Sequence, residues 1–218
     1  MNKKTLNIYD NEYIKFEHDG DQYCVLIHQE DGPESPRDWE NLGIMVCWHR
    51  RYNLGDQHDH KSAKSFFVSL AETVLPHEAL IDKVKSGETN LYIEYTDDPD
   101  DELPYELRDD SGCPILSART EDELFLGGNF DEILDWIDVG VLRTLLGESD
   151  QIAMLPLYLY DHSGITMNTS GFSDPWDSCQ VGYIYMTKEV FLKETGYTEA
   201  EWPQRADEMM RDEVKNIR

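Results

Sequence analysis

The chain has 218 residues, enough for one large domain or two small ones, and its 39% hydrophobic and 11% aromatic content can fill a core without covalent staples. Against 45 Asp and Glu stand only 19 Lys and Arg, a formal charge of −26. That balance argues against direct binding of nucleic acid or an anionic membrane, which both draw on Lys and Arg, and suits a cationic partner instead.

Cys24, Cys47, Cys113 and Cys179 lie far apart with no CxxC pair, so they read as reduced thiols. The opening MNKKTLNIYD is followed by no apolar run, and no window approaches the roughly 18 apolar residues of a spanning helix. A soluble, cytoplasmic protein is expected.

In chain order, Tyr13, Ile14 and Phe16 precede Asp19-Gly20-Asp21, and Tyr23, Val25 and Ile27 follow, which predicts a hairpin. GIMVCWH, residues 43 to 49, reads as a buried central strand. Phe66, Phe67, Leu70, Val74 and Leu75 recur at helical spacing from Ser62 until Pro76 stops them, and HEALIDKVKSG gives a second, shorter helix. LYIEY, residues 91 to 95, alternates like a strand, and the acidic stretch TDDPDDELPYELRDDSG after it reads as a mobile loop. Thr120 and Glu123 have capping-box spacing, and a helix is expected from about Asp131 to Leu146. IAMLPLYLY, residues 152 to 160, and QVGYIYM, residues 180 to 186, are strand-like, with Pro156 at an edge or bulge. Two helices close the sequence, one near Thr187 and one near Thr198, where Glu201 repeats the capping spacing. Strands and helices do not alternate as βαβ, so the expected class is α+β: a mostly antiparallel sheet with flanking helices over one domain, residues 1–218, with an acidic subdomain at 96–150.

Two polar blocks end apolar strands, where side chains face clefts. In the first, His49 is followed by Arg50 and Arg51, which could hold an anion; the simpler role is to neutralise neighbouring carboxylates. In the second, Asp161 and His162 could form an acid–base pair with Ser163, Asp174, Asp177 and Ser178 nearby, although turn chemistry explains the same residues. Cys179 lacks a nucleophile context and reads as a buried structural thiol. His58 and His60 could ligate a divalent metal; a solvated loop is the default. Neither a P-loop, nor a dinucleotide fingerprint, nor HExxH is present.

The carboxylates are the most distinctive feature. Asp97, Asp98, Asp100, Asp101 and Glu102 crowd one segment, and Asp131, Asp135 and Asp138 follow i, i+4, i+7, lining one face of a continuous helix at about 5 to 6 Å intervals. Such rows either solvate the surface or imitate the phosphates of a nucleic acid in a basic groove. A calcium site is a further option for DDPDDE, which lacks the DxDxDG loop and its terminal Glu.

SPRDWENLGIMVCWHRRYNLGD and LPLYLYDHSGITMNTSGFSDPWDSCQVGYIYMTKE together resemble the signature stretches of a family of proteins encoded by bacteriophages and conjugative elements. The matching positions are Asp38, Trp39, His49, Arg50, Tyr52, Asp56, Asp161, His162, Ser163, Trp176 and Asp177, while Cys179 departs from the pattern's Gly. The resemblance implies a mobile-element origin and brings no reaction with it. Two expectations follow. The first is an anti-defence protein in the host cytoplasm, without a cofactor, that inhibits a basic nuclease or restriction complex through Asp97, Asp98, Asp100, Asp101, Glu102, Asp131, Asp135 and Asp138. The second is a hydrolase or nucleotide-processing enzyme built on His49, Arg50, Asp161 and His162, with a divalent metal on His58 and His60. Meeting of the two blocks in space favours the enzyme; their separation beneath a continuous acidic ridge favours the inhibitor.

Overall fold

A computed structural model of the chain describes residues 6–8, 11–18, 20–28, 37, 39–98 and 100–215. The chain packs as two compact units, Met1–Trp39 and Glu40–Arg218. The fold class is α+β, and every sheet among the described residues is antiparallel.

The first unit holds a three-stranded sheet, β1 (Leu6–Ile8), β2 (Asn11–His18) and β3 (Asp21–His28), in sequential order. The expected hairpin joins β2 to β3, with His18 opposite Asp21 and Gly20 at φ +87°, a left-handed conformation that suits glycine. Asp19 and Asp38 lie outside the described residues.

In the second unit a four-stranded sheet of order β4-β10-β8-β9 is built from β4 (Ile44–Cys47), β8 (Ile152–Asp161), β9 (Ile165–Asn168) and β10 (Ser178–Thr187). Alternation, offset in β10 by the register shift between Gln180 and Gly182, splits the apolar side chains between its two faces. Val46, Tyr183 and Tyr185 meet Phe66, Phe67, Leu70 and Leu142 on one side; Met45, Leu157, Ile184 and Met186 meet Phe191, Trp202, Met210 and Val214 on the other. These partners come from α1 (Ala63–Val74) and α4 (Val139–Glu148) on the first face, and from α5 (Lys188–Thr195), α6 (Gln204–Lys215) and Trp202 in the segment between them on the second. Covering both faces explains why the strands read as near-continuous apolar runs. Side chains cap helix ends, and the capping spacing read at Thr198 and Glu201 holds. Ser62 caps α1, Thr187 caps α5, and the Glu201 carboxylate accepts the Thr198 amide at 2.9 Å.

Four expectations need correction. First, β4 is an edge strand rather than a central one. Its open side is occupied by Asp56, whose carboxylate accepts from the Met45 amide at 2.8 Å while its own amide donates to the Met45 carbonyl at 2.8 Å. A loop therefore covers the edge and keeps Met45, Val46 and Cys47 buried.

Second, the acidic stretch read as a mobile loop contains β6 (Tyr105–Asp109), the middle strand of a sheet with β5 (Leu91–Tyr95) and β7 (Pro114–Ala118). Leu107 is fully buried, and Arg108 on the opposite face pairs with Glu94 and Glu106, so local charge neutralisation lets a charged segment pair on both sides. The helix α2 (His77–Lys85) packs on this sheet.

Third, the helix expected over 131–146 is two helices, α3 (Asn129–Trp136) and α4. Asp138 stands at the break, and its carboxylate accepts the Gly140 amide at 2.6 Å. Asn90 clamps the same point, accepting the Asp138 amide at 2.7 Å and donating to the Trp136 carbonyl at 3.0 Å. A short acid that bonds its own backbone favours a cap over a helix interior, and this one starts a new helix. The fourth correction, at Cys179, belongs to the site.

Candidate functional site

The site grows from one end of the four-stranded sheet, where β4 stops, β8 stops and β10 begins. The segment leaving β4 is pinned at both ends. Trp48 donates its amide to the Val181 carbonyl at 2.7 Å and its indole N–H to the His60 carbonyl at 2.9 Å, while Asp56 clamps back onto Met45. Between those pins stand His49, Arg50, Arg51 and Tyr52. A close approach of backbones holds this end together: a Cβ on Gly182, at a register shift of β10, would lie 2.0 Å from the Val46 carbonyl oxygen.

The two polar blocks, far apart in sequence, meet here. Asp161, at the end of β8, accepts from the Arg51 guanidinium and from the Tyr52 hydroxyl at 3.1 Å. Tyr52 stacks on His49 with ring centroids 5.0 Å apart and planes 5° from parallel. His49 Nδ1 accepts the backbone amides of Arg51 at 3.3 Å and Tyr52 at 3.2 Å. Two N–H donors on Nδ1 fix the neutral tautomer, so the proton sits on Nε2 and the ring presents a donor.

Across the gap, His162 Nδ1 lies 2.8 Å from Asp177 Oδ2. With the carboxylate as acceptor, Nδ1 carries the proton, which makes Nε2 the lone-pair nitrogen of the neutral ring. His162 opens the β8–β9 turn, in which Ser163 has φ +59° and Gly164 φ +150°. The Asp177 segment is tied down in turn, its carbonyl accepting the Asp161 amide at 2.8 Å.

These elements wall an open cleft of about 470 Å³, lined by Trp48, His49, Arg50, Arg51, Leu159, Asp161, Trp176, Asp177, Ser178 and Cys179. Charge within it is largely ordered. Arg51 neutralises Asp161 as expected, whereas Arg50 is exposed and makes no ion pair among the described residues. Cys179 is exposed on the cleft wall, not buried: it falls where β10 leaves the cover of the helices, opposite Leu159. None of the four cysteines is in a disulfide.

The sequence-derived quartet is thus partly assembled. His49, Arg50 and Asp161 line the cleft; His162 stands beside it, bonded to a wall residue. Arg51, Tyr52 and Asp177 are the partners that fix Asp161, His49 and His162; the sequence offers Arg51 as a neutraliser of carboxylates and Asp177 as a neighbour of the acid–base pair, and Tyr52 only by its place in the block.

His58 and His60 do not converge as a metal site. His58 Nε2 bonds the Cys47 carbonyl at 2.9 Å, its Nδ1 is sealed from solvent without a partner, and the two rings stand 5.7 Å apart. Among the described residues no group of three His, Cys, Asp or Glu is placed to share an ion. The two nitrogens alone fall short of the three or four ligands that hold a divalent cation.

The acidic candidates are exposed, and no single helix carries Asp131, Asp135 and Asp138. Asp131 and Asp135 lie on α3, whereas Asp138 caps α4. Asp98 and Asp101 spend carboxylate oxygens on their own loop, accepting the Asp100 amide at 3.0 Å and the Leu103 amide at 2.9 Å. Asp97, Asp98, Asp100, Asp101 and Glu102 make no ion pair among the described residues. Within the same limits, no helix is long and apolar enough to cross a membrane.

No protein-family model, no curated protein and no solved structure matches the chain.

Proposed function

We propose that the chain is an acid–base hydrolase acting on a small anionic substrate of the phosphoester class in the cleft between its two polar blocks. One observation carries this reading: Arg51 and Asp161, 110 positions apart, are bonded to each other and bring His49 to the cleft wall and His162 beside it, the first using Nδ1 as an acceptor and the second holding Asp177 through Nδ1. The single helix face on which the inhibitor reading set Asp131, Asp135 and Asp138 is divided between α3 and the cap of α4.

In this mechanism His162 accepts a proton from water through Nε2, its imidazolium stabilised by Asp177, and the water oxygen bonds to the substrate centre. Arg50 and the His49 Nε2–H offset the charge that develops on the substrate oxygens. His162 then returns the proton to the departing oxygen as its bond breaks, so the ring ends as it began. Asp161 positions the Arg51 to Tyr52 segment and thereby His49. The reduced thiols and such a substrate fit the cytoplasm of a host cell.

The test is turnover across a panel of phosphomonoesters and phosphodiesters. His162→Ala and His49→Ala should each lose about 10²- to 10⁴-fold in kcat with an unchanged thermal unfolding curve. Absence of turnover and of any ligand-induced Tm shift across the panel rejects the reading.

A second reading keeps one specific support, the five exposed carboxylates of Asp97 to Glu102, which make no ion pair among the described residues. They would dock the basic surface of a host nuclease or restriction complex, with an affinity that falls steeply as salt is raised. Binding that survives amide substitution of all five, or that ignores salt, removes it.

A further inference from the structure

We infer that the substrate of this cleft is a nucleotide and that Trp176 is the platform on which its base stacks; the inference rests on the anionic-substrate reading above. Trp176 is 92% exposed, and no other described aromatic exceeds the 59% of Trp39. Mobility does not explain that exposure, because the backbone around the indole is held at several points. The Trp176 amide donates to Asp174 Oδ1 at 2.9 Å and the Asp177 amide to the same oxygen at 3.4 Å. The Ser178 hydroxyl donates to the Asp174 carbonyl, and the Asp177 carbonyl accepts the Asp161 amide at 2.8 Å. Pro175 restricts φ between the two anchored residues.

The loop's other aromatic is treated differently. Phe172 stacks on Tyr160 with centroids 5.3 Å apart, while Trp176 is kept in water on the wall of the cleft. A large ring presented on a fixed turn beside polar groups is the arrangement that receives another flat ring, since every base offers a π-face to stack.

The second component of the ligand is set by Arg50, the cleft guanidinium without an ion pair among the described residues. A ring on Trp176 and an anion on Arg50 describe a base joined to a phosphate. The cleft, at about 470 Å³, falls within the range of small-ligand sites, roughly 300 to 1,000 Å³. Scale also decides between monomer and polymer. One phosphate needs few cations, whereas a polynucleotide laid across a chain of net charge −26 would be repelled along its length.

The experiment titrates the full chain with AMP, UMP and ribose 5-phosphate by calorimetry, using wild type, Trp176→Ala, Trp176→Phe and Arg50→Ala. AMP should bind more tightly than ribose 5-phosphate. Trp176→Ala should weaken AMP about ten- to a hundredfold and UMP less, leave ribose 5-phosphate unchanged, and be largely rescued by Trp176→Phe. Arg50→Ala should weaken all three ligands. Equal affinities for AMP and ribose 5-phosphate, or a Trp176→Ala loss that is the same for both, overturn the base platform while leaving the anionic site standing. If none of the three binds wild type, the underlying substrate reading fails, and this inference falls with it. An exposed indole removed from a tied turn should leave the fold intact, which an unchanged Tm for Trp176→Ala verifies.

Discussion

The cleft and the acidic β5–β7 region use charge in opposite ways. In the cleft few charges converge: Asp161 is shared by Arg51 and Tyr52 from the other polar block, and His162 is held by Asp177 from the far side of β9. Around β5 to β7 charges are abundant but local. Asp98, Asp101 and Asp109 bond amides two residues ahead, and Arg108 is consumed by Glu94 and Glu106 on neighbouring strand positions. A charge that bonds its own turn stabilises that turn; a charge held by a distant element constrains a geometry. Convergence, rather than the number of carboxylates, separates a candidate reaction site from a solvated surface.

The largest effect should come from breaking the contact that brings the cleft walls together. Gly182→Ala would place a Cβ 2.0 Å from the Val46 carbonyl oxygen, against backbone that cannot step aside. We expect a loss of about 3 kcal/mol or more in urea unfolding. Gly147→Ala, inside α4 with no atom within 4 Å of the new Cβ, should instead gain about 0.5 to 1 kcal/mol. Equal outcomes for the two glycines would show that the close approach of β4 and β10 does not hold the walls.

Next in size is Asp177→Asn, which retains shape but places an amide against His162 Nδ1 and removes the charge that selects its tautomer. Turnover should fall about 10²-fold or more while Tm stays within about 2 °C of wild type. Asp161→Asn acts one step further away, loosening Arg51 and Tyr52 and through them His49. Its effect should be smaller, about tenfold, and should fall on kcat more than on KM. A reversed order would make Asp161, not the His162–Asp177 pair, the centre of the chemistry.

Much of this architecture is legible in the sequence because its signals are local. Apolar runs of strand length mark β8 and β10, helical spacing from Ser62 and the Pro76 stop bound α1, and Thr198 with Glu201 marks the turn before α6. Ends of apolar strands carrying His, Arg and Asp also mark where the cleft forms. What escapes is what depends on distant partners. The strand β6 is hidden because the charges of Glu94 and Glu106 meet Arg108 only once the strands pair. The break at Asp138 needs Asn90 from another element, and the edge position of β4 needs Asp56 to close it. Asp177 is locally a turn residue, and only the fold shows that its second oxygen holds His162.

On the acidic side the effects should be small. Converting Asp97, Asp98, Asp100, Asp101 and Glu102 together to their amides should leave turnover unchanged, since none lines the cleft. Stability should shift by no more than about 0.5 kcal/mol per site, with Asn at 98 and 101 still able to accept the loop amides. Lost turnover in this variant would join the two regions functionally and end the contrast between them.

The subtlest prediction concerns Asp109, an acidic-region carboxylate with a defined task at the β6–β7 turn. The Ser111 hydroxyl donates to it at 2.6 Å and the Cys113 amide at 2.9 Å, and these bonds hold its carboxyl below the usual aspartate range. A carboxyl depressed in the folded state contributes stability above the pKa it has when unfolded, and that contribution is lost as pH falls through the folded value. Asp109→Asn keeps the acceptor oxygen and removes only the charge. Wild type should therefore melt slightly above Asp109→Asn at pH 7, and the two Tm values should converge as pH is lowered past the ordinary aspartate range. Each donor satisfies the carboxylate within its own turn, so the same substitution should leave ligand affinity at the cleft untouched at every pH tested.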